Sequence, residues 1–387
     1  MTAPTATGEC VIFVPFIGAM GGVERLLLSL SRYLHERGRS HGIVTFRDDI
    51  GLAKFATWPL PVHQLLPRRT VPHEMLALRR HLAARSPHGS VLVFDLKGAF
   101  YAAAATVPFV VHLTDPPSML RADVSKDAPS LRGESAQRTL IRLLSSPRRL
   151  RGELAHRLNR RGARRARAVI VMTTLIADEV RRLYDVQPVL ARPGIARAPK
   201  RPTDAEPAPG HRIELLSVSR LEPSKRITWI LEALGALDDA VLEGRQWTLH
   251  VVGDGSEAAS LRALAASLYP DHQVIFHGGV DDARLEALYA HADLFLMPAV
   301  QGWGLPALEA LARGIPVVMH QDSGVAEILS ATPWVECVRE AGAKALAKGV
   351  NRMVWRITSG QLSSQNHPEV PTDTHWARQL SMLCEWE

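Results

Sequence analysis

Arg220 and Lys225 stand five residues apart, where the strand-like run IELLSVSR gives way to the helix-like run ITWILEAL. Two cations on a strand–loop–helix passage suit an anion whose charge grows as a bond to it breaks, as in a diphosphate leaving group. The arginine fork matches phosphate oxygens, and the lysine adds a compact charge. Further along, FLMPAVQGWGLPALEALARGIPVVM places Glu309 eight residues after Gln301. Gly302 and Gly304 carry no side chain, so the backbone there can approach a ligand closely. Pro306 fits a first helical turn, where a missing amide costs nothing. The remaining free amides and the helix dipole favour an anion. Glu309, about one turn inside, can accept hydrogen bonds from two vicinal ribose hydroxyls. Taken together these pieces suit a nucleoside diphosphate carrying a sugar. Taken singly, each has a plainer reading: a solvated basic turn, and an ordinary strand–helix crossover.

Other candidates sit at similar passages. Gly253, Asp254 and Gly255 follow the strand TLHVV and precede a helix whose cap is expected at Ser256. Gly279 and Val280 lie in FHGGVDDARLEALY. Gly21 and Gly22 follow the first strand and open a helix, a place suited to anions. They do not form the G-x-G-x-x-G dinucleotide pattern. PFVVHLTDPP is read as a buried strand ending at His112, with Asp115 beyond it, and strand ends of this kind line crevices. A lone histidine is as readily structural as functional.

The elements that must hold these residues alternate. CVIFVPF reads as a strand, and VERLLLSLSRYLHERG as an amphipathic helix with Gly38 at its C-terminal cap. GIVTF, VLVFD, PFVVHL and AVIVM follow as strands, with the helix TLIADEVRRLY after the last. A second series runs IELLSV, ITWILEAL, TLHVV, SEAASLRALAASL, VIFH, DARLEALYAHA, LFLM, PALEALA, IPVVM. This rhythm predicts parallel sheets covered on both faces. With 387 residues, two domains are expected: 1–197, and 213–370 after a Pro-rich linker at 198–212, with a helical tail at 371–387.

No apolar run reaches the length of a spanning helix, and MTAPTATGEC has no basic region of a secretory leader. Cys10, Cys337 and Cys384 form no disulfide framework or metal-binding spacing. A reduced, cytoplasmic protein is the expectation, with no metal and no cofactor. HExxH, G-x-S-x-G, the phosphate-loop pattern and the Asp-x-Asp of metal-dependent transferases do not occur. The stretch from Arg121 to Arg167 carries 14 Lys and Arg against 4 Asp and Glu, more than the whole net charge of +7. A solvated face is the first reading of that basic segment, and contact with an anionic membrane at its inner face the second. Nucleic acid is not expected, since no aromatic residue interleaves the arginines.

In combination, Gln301-Gly302-Trp303-Gly304, Glu309 and Gly314-Ile315-Pro316-Val317 resemble the donor half of a retaining glycosyltransferase of family 4. The usual motif has Glu where this chain has Gln301. The resemblance implies an α/β fold of two Rossmann-like domains facing each other across a cleft (GT-B), with the last helix crossing back to the first domain. It implies a metal-independent transfer from a nucleotide sugar, UDP first and GDP second, to a hydroxyl of a glycan, lipid-linked or natural-product acceptor. Front-face departure is implied, with the diphosphate helping to take the acceptor proton. Arg220, Lys225 and His112 would act at the reaction centre. Gly21, Gly22, Gly253, Asp254, Gly279, Val280, Gln301, Gly302, Trp303, Gly304, Leu305 and Glu309 would bind the donor. The ARPGIARA turn lacks the Asn of the family's Pro-Asn-Gly. An amide at 301 both donates and accepts, which leaves two alternatives: a weak or silent protein that binds a nucleotide sugar or supports a partner, and a nucleotide-sugar epimerase.

Overall fold

The computed structural model describes residues 8–65, 70–85, 87–103, 107–118, 147–196, 212–270, 273–362 and 367–387, without the side chains of 147–155, 239 and 240. The expected linker at 198–212 lies outside these residues except for Arg212. So does the basic segment through residue 146.

The chain divides into two compact units. The first comprises Met1–Pro193 and Asp373–Glu387, and the second Gly194–Thr372. In the first, β1 (Cys10–Phe13) is flanked by β3 (His41–Thr45) and β6 (Val91–Phe94), after the short β2 (Phe16–Ile17), β4 (Arg47–Asp48) and β5 (Val62–Gln64). β7 (Phe109–Leu113), β8 (Val169–Val171) and β9 (Val189–Leu190) complete a parallel sheet in the order β5-β3-β1-β6-β7-β8-β9. Its central strands are wholly buried and, apart from His112 in β7, apolar, as a sheet covered on both faces requires. The helix Gly22–Glu36 buries Leu26, Leu27, Leu30 and Leu34 on one stripe, and Gly38 follows its end with a φ of +65°.

The helix Asp373–Leu383 packs on Gly22–Glu36. Trp376, Leu380, Cys384 and Trp386 are fully buried in this unit, and Asp373 takes bonds from Ser29 (2.7 Å) and Arg32. The C-terminal stretch is therefore part of the core of the first unit.

The second unit holds β10 (Ile213–Val218), β11 (Trp247–Val252), β12 (Val274–Gly278), β13 (Leu294–Met297), β14 (Val317–His320) and β15 (Val335–Val338), all parallel, in the order β12-β11-β10-β13-β14-β15. Leu215, Leu249, Leu294, Leu296 and Val318 form its core with Ile230, Leu231, Val350 and Met353 from the covering helices. Both units have the open parallel sheet with reversed strand order that defines a Rossmann-like domain. Two expectations change in detail. The helix after β11 begins at Ala258, two residues past Ser256, with Glu257 at its N-cap position and no side-chain cap. The strand VLVFD stops at Phe94, and Asp95 already begins a helix. Among the described residues no helix is long and apolar enough to cross a membrane.

Candidate functional site

Parallel strands deliver their following loops to one edge of a sheet, and in the second unit five such loops are laced together by backbone hydrogen bonds. Leu221 N donates to Asp254 O (2.8 Å), Gly253 N to Gly278 O (2.8 Å), Val300 N to Ser224 O (2.8 Å) and Gly324 N to Gln301 O (3.0 Å). This lacing explains how residues far apart in sequence meet. Lys225 ends a 3-10 turn, Pro223–Lys225, and its Nζ donates to Gln301 Oε1 at 2.8 Å. The two halves of the expected donor site are thus in direct contact.

Gln301 is held from its other end as well. Its Nε2 donates to Ser323 Oγ at 3.2 Å and reaches Met297 Sδ at 3.0 Å, while Ser323 Oγ donates to Trp303 O at 2.8 Å. Gly304 has a φ of +151°, and a β-carbon there would stand 2.9 Å from Gln301 Nε2, Ser323 Oγ and Val325 Cγ1. A glycine is required at that position by conformation and by space. Pro306 occupies the first turn of the helix Leu305–Ala312, as its ring predicts, and Gly314 follows with a φ of +77°. Gly302, Trp303 and Leu305 are buried beneath the loop. Glu309 is partly buried on that helix, with Tyr289 donating its hydroxyl to Oε2 at 2.9 Å.

Arg220 lies on the same edge but exposed, paired with Glu222 Oε1 at 2.7 Å. Asp254 and Gly279 are joined, Gly279 N donating to Asp254 Oδ2 at 2.7 Å, and Val280 follows, partly exposed. Arg226, next to Lys225, was not singled out by the sequence. It sits in the left-handed region (φ 54°) and clamps three loops. It donates to Asp322 Oδ2 (2.7 Å), His320 Nδ1 (3.2 Å) and Pro298 O (3.4 Å), and it lies 4.3 Å over the Trp229 ring. Ser323 and Tyr289 were missed as well. Their only signal was a place after a strand and on a facing helix.

In the first unit Gly21 caps the helix Gly22–Glu36, and nothing lies within 4 Å of where a β-carbon on Gly22 would be. His112 departs from expectation. It is the fourth residue of a strand that runs to Leu113, fully buried between Phe94 (5.1 Å between ring centres) and Trp376 (5.6 Å). Neither ring nitrogen meets a hydrogen-bond partner among the described residues. Burial lowers its pKa to about 3. The strand is one residue longer than read, its sheet is covered on both faces, and Trp376 of the C-terminal helix closes the face to which His112 points. No ligand reaches a fully buried ring, so the expected substrate contact is corrected to a structural role.

The comparisons agree with this architecture. Residues 21–193 match the glycosyl transferase 4-like domain model, and residues 202–355 match glycosyl transferases group 1. An uncharacterized glycosyltransferase of Methanocaldococcus jannaschii is 32% identical over 141 residues, 36% of this chain and 35% of that one. A GDP-mannose-dependent phosphatidylinositol monomannoside mannosyltransferase of Mycolicibacterium smegmatis is 33% identical over 126 residues, 30% and 32% of the two chains. The matched stretch thus spans about a third of the length of these relatives. HepE of Anabaena, solved in complex with UDP, superposes with a TM-score of 0.68 over 98% of this chain and all of that one, at 17% identity. The chain belongs to the GT-B glycosyltransferases of family 4.

Proposed function

We propose that this protein is a retaining, metal-independent glycosyltransferase that moves a sugar from a nucleoside diphosphate to an acceptor hydroxyl, with UDP the first candidate nucleotide and GDP the second. The observation that carries the reading is the Lys225–Gln301 contact within the laced loops of the second unit. It joins the cation suited to a diphosphate to the loop and helix suited to a nucleoside and its sugar. HepE bound to UDP-glucose and the GDP-mannose-dependent relative supply the two nucleotide candidates. In this reading Lys225 and Arg220 receive the diphosphate charge as the glycosidic bond breaks, and Glu309 takes the ribose hydroxyls. Gln301 faces the sugar. Their work is positioning and charge stabilisation.

The test is a thermal-shift titration of UDP, GDP, ADP and TDP against wild type and Lys225→Ala. One nucleotide should stabilise wild type, and the variant should lose that stabilisation. Turnover should fall about a hundredfold or more in Lys225→Ala, on the order of 3 kcal/mol. Stabilisation by none of the four would defeat the transferase reading. A second reading rests on Gln301 itself: a protein that binds a nucleotide sugar and turns it over weakly or not at all. It predicts nucleotide stabilisation with no nucleotide-sugar consumption.

A further inference from the structure

Lys225 closes the turn Pro223–Lys225 and Arg226 opens the helix Ile227–Leu234, with a φ of +54° at the junction. A residue with a β-carbon seldom enters that region, and it stays there only where its surroundings hold it. Here the side chain of Arg226 provides the hold. It is 18% exposed, against 57% for Arg220, and its N–H groups are turned into the protein. One nitrogen donates to Asp322 Oδ2 (2.7 Å) and the other to His320 Nδ1 (3.2 Å) and Pro298 O (3.4 Å), with the guanidinium against the Trp229 ring. His320 Nδ1 also accepts from Asp322 N at 3.2 Å. Two groups that can only donate require the lone pair at Nδ1, so the negative charge facing Arg226 is that of Asp322.

These contacts close a ring across three loops. Peptide bonds join Lys225 to Arg226 and Asp322 to Ser323. Arg226 donates to Asp322, Lys225 Nζ to Gln301 Oε1 (2.8 Å), and Gln301 Nε2 to Ser323 Oγ (3.2 Å). The backbone reinforces the closure, since Gln301 N donates to Asp322 O (3.3 Å) and Gly324 N to Gln301 O (3.0 Å). Ser323 Oγ gives its own hydrogen to Trp303 O, so toward Gln301 it can only accept. The amide therefore has one orientation, oxygen toward Lys225 and nitrogen toward Ser323; a flipped amide would set donor against donor at Lys225. Arg226 is the link in this ring that spans from the turn after β10 to the loop after β14.

We propose that Arg226 is a positioning residue of the donor site: it touches no ligand, and through Asp322 and Ser323 it fixes the Gln301 amide and with it the Lys225 ammonium that faces the terminal phosphate of a nucleoside diphosphate. The proposal rests on the transferase reading and deepens it. The role requires an arginine, because a planar fork reaches three acceptors at once, whereas a lysine presents its hydrogens from one point. It also carries a sign. A cation acting on the diphosphate through space gains when the carboxylate of Asp322 is removed. A clamp is broken by the same change.

Isothermal titration of UMP, UDP, GMP and GDP into wild type measures how much the second phosphate adds to binding. For one of the two bases that increment should be about tenfold or more, and Lys225→Ala should reduce it. Arg226→Gly keeps the left-handed backbone without strain. It should lose most of the increment and leave monophosphate affinity unchanged. Asp322→Ala leaves that backbone untouched and should show the same loss, so it decides alone if the glycine variant does not fold. Arg226→Lys should not restore the increment. An undiminished increment in Arg226→Gly, a full one in Arg226→Lys, or tighter diphosphate binding in Asp322→Ala overturns the proposal. Equal losses for monophosphate and diphosphate overturn it too, since a merely structural residue would give them. The transferase reading survives each of these results when Lys225→Ala reduces the wild-type increment, and both fall if neither diphosphate binds.

Discussion

The neutral amide of Gln301 decides how the charge of Lys225 is used. A carboxylate at that position would form an ion pair with the ammonium and compete with a diphosphate for it. It would also lose the donor to Ser323 and set an oxygen near Met297 Sδ, where Nε2 now lies at 3.0 Å. Gln301→Glu should therefore lower kcat/KM about tenfold or more, the cost of one misplaced polar contact in a charged site. A gain in steady-state rate would show instead that the site has decayed from an acidic ancestor. His112 gives a second prediction at this scale. Its folded pKa of about 3 lies below the ordinary 6.5, so as pH falls below 6.5 the unfolded chain takes up a proton that the folded chain refuses. Stability is lost from pH 6.5 downward, by about 1.4 kcal/mol per pH unit, until the folded value is reached. Asp95, raised to about 6, acts in the opposite sense between that value and its ordinary 3.8. Comparison with His112→Leu isolates the histidine. Thermal melts from pH 7 to 4.5 should show the variant losing less stability than wild type, and parallel curves would refute the assignment.

At the scale of elements, the loops succeed because glycines let backbones cross closely. A β-carbon on Gly253 would stand 1.9 Å from Ser219 O, and its φ of +123° is strained for any L side chain. Gly253→Ala should cost about 1–3 kcal/mol and reduce nucleotide stabilisation together with thermal stability; an unchanged melting curve would show that the loop yields. The same elements explain what the sequence could reveal. The strand–loop–helix passages carrying Lys225, Gln301, Gly304 and Glu309 were legible because each depends on local chemistry: a proline in a first turn, a glycine where φ is positive, a cation before a helix. His112 and Asp95 were not, because one depends on a covering helix distant in sequence and the other on where a strand stops. His112 is closed in by Trp376, which comes from the far end of the sequence, and one residue fewer in β6 released Asp95 into a helix. Arg226 was hidden for another reason. Its partners at Pro298, His320 and Asp322 lie on loops that only the sheet order makes neighbours.

On the scale of the whole molecule, the C-terminal stretch belongs to the first unit, although the second unit intervenes in sequence. Trp376, Leu380 and Trp386 bury fully against elements made hundreds of residues earlier, and removing one large core side chain costs about 3–5 kcal/mol. Ending the chain at Thr372 should therefore unfold or strongly destabilise the first unit. The second should keep its sheet and its response to nucleotide. Differential scanning calorimetry with and without UDP or GDP distinguishes these outcomes, and an unshifted first-unit transition would contradict the packing.

That arrangement also bears on the order in which the protein matures on the ribosome. The second unit is complete in sequence before the helix that closes the first has been translated. At ordinary elongation rates the gap between the two pieces lasts on the order of ten to forty seconds. Throughout it, the face of the helix Gly22–Glu36 that the C-terminal helix covers and the Trp376-facing side of β7 stay uncovered. Nascent chains stalled after Thr372 would be a target for chaperones at the amino-terminal end, even though that end is the oldest part of the molecule.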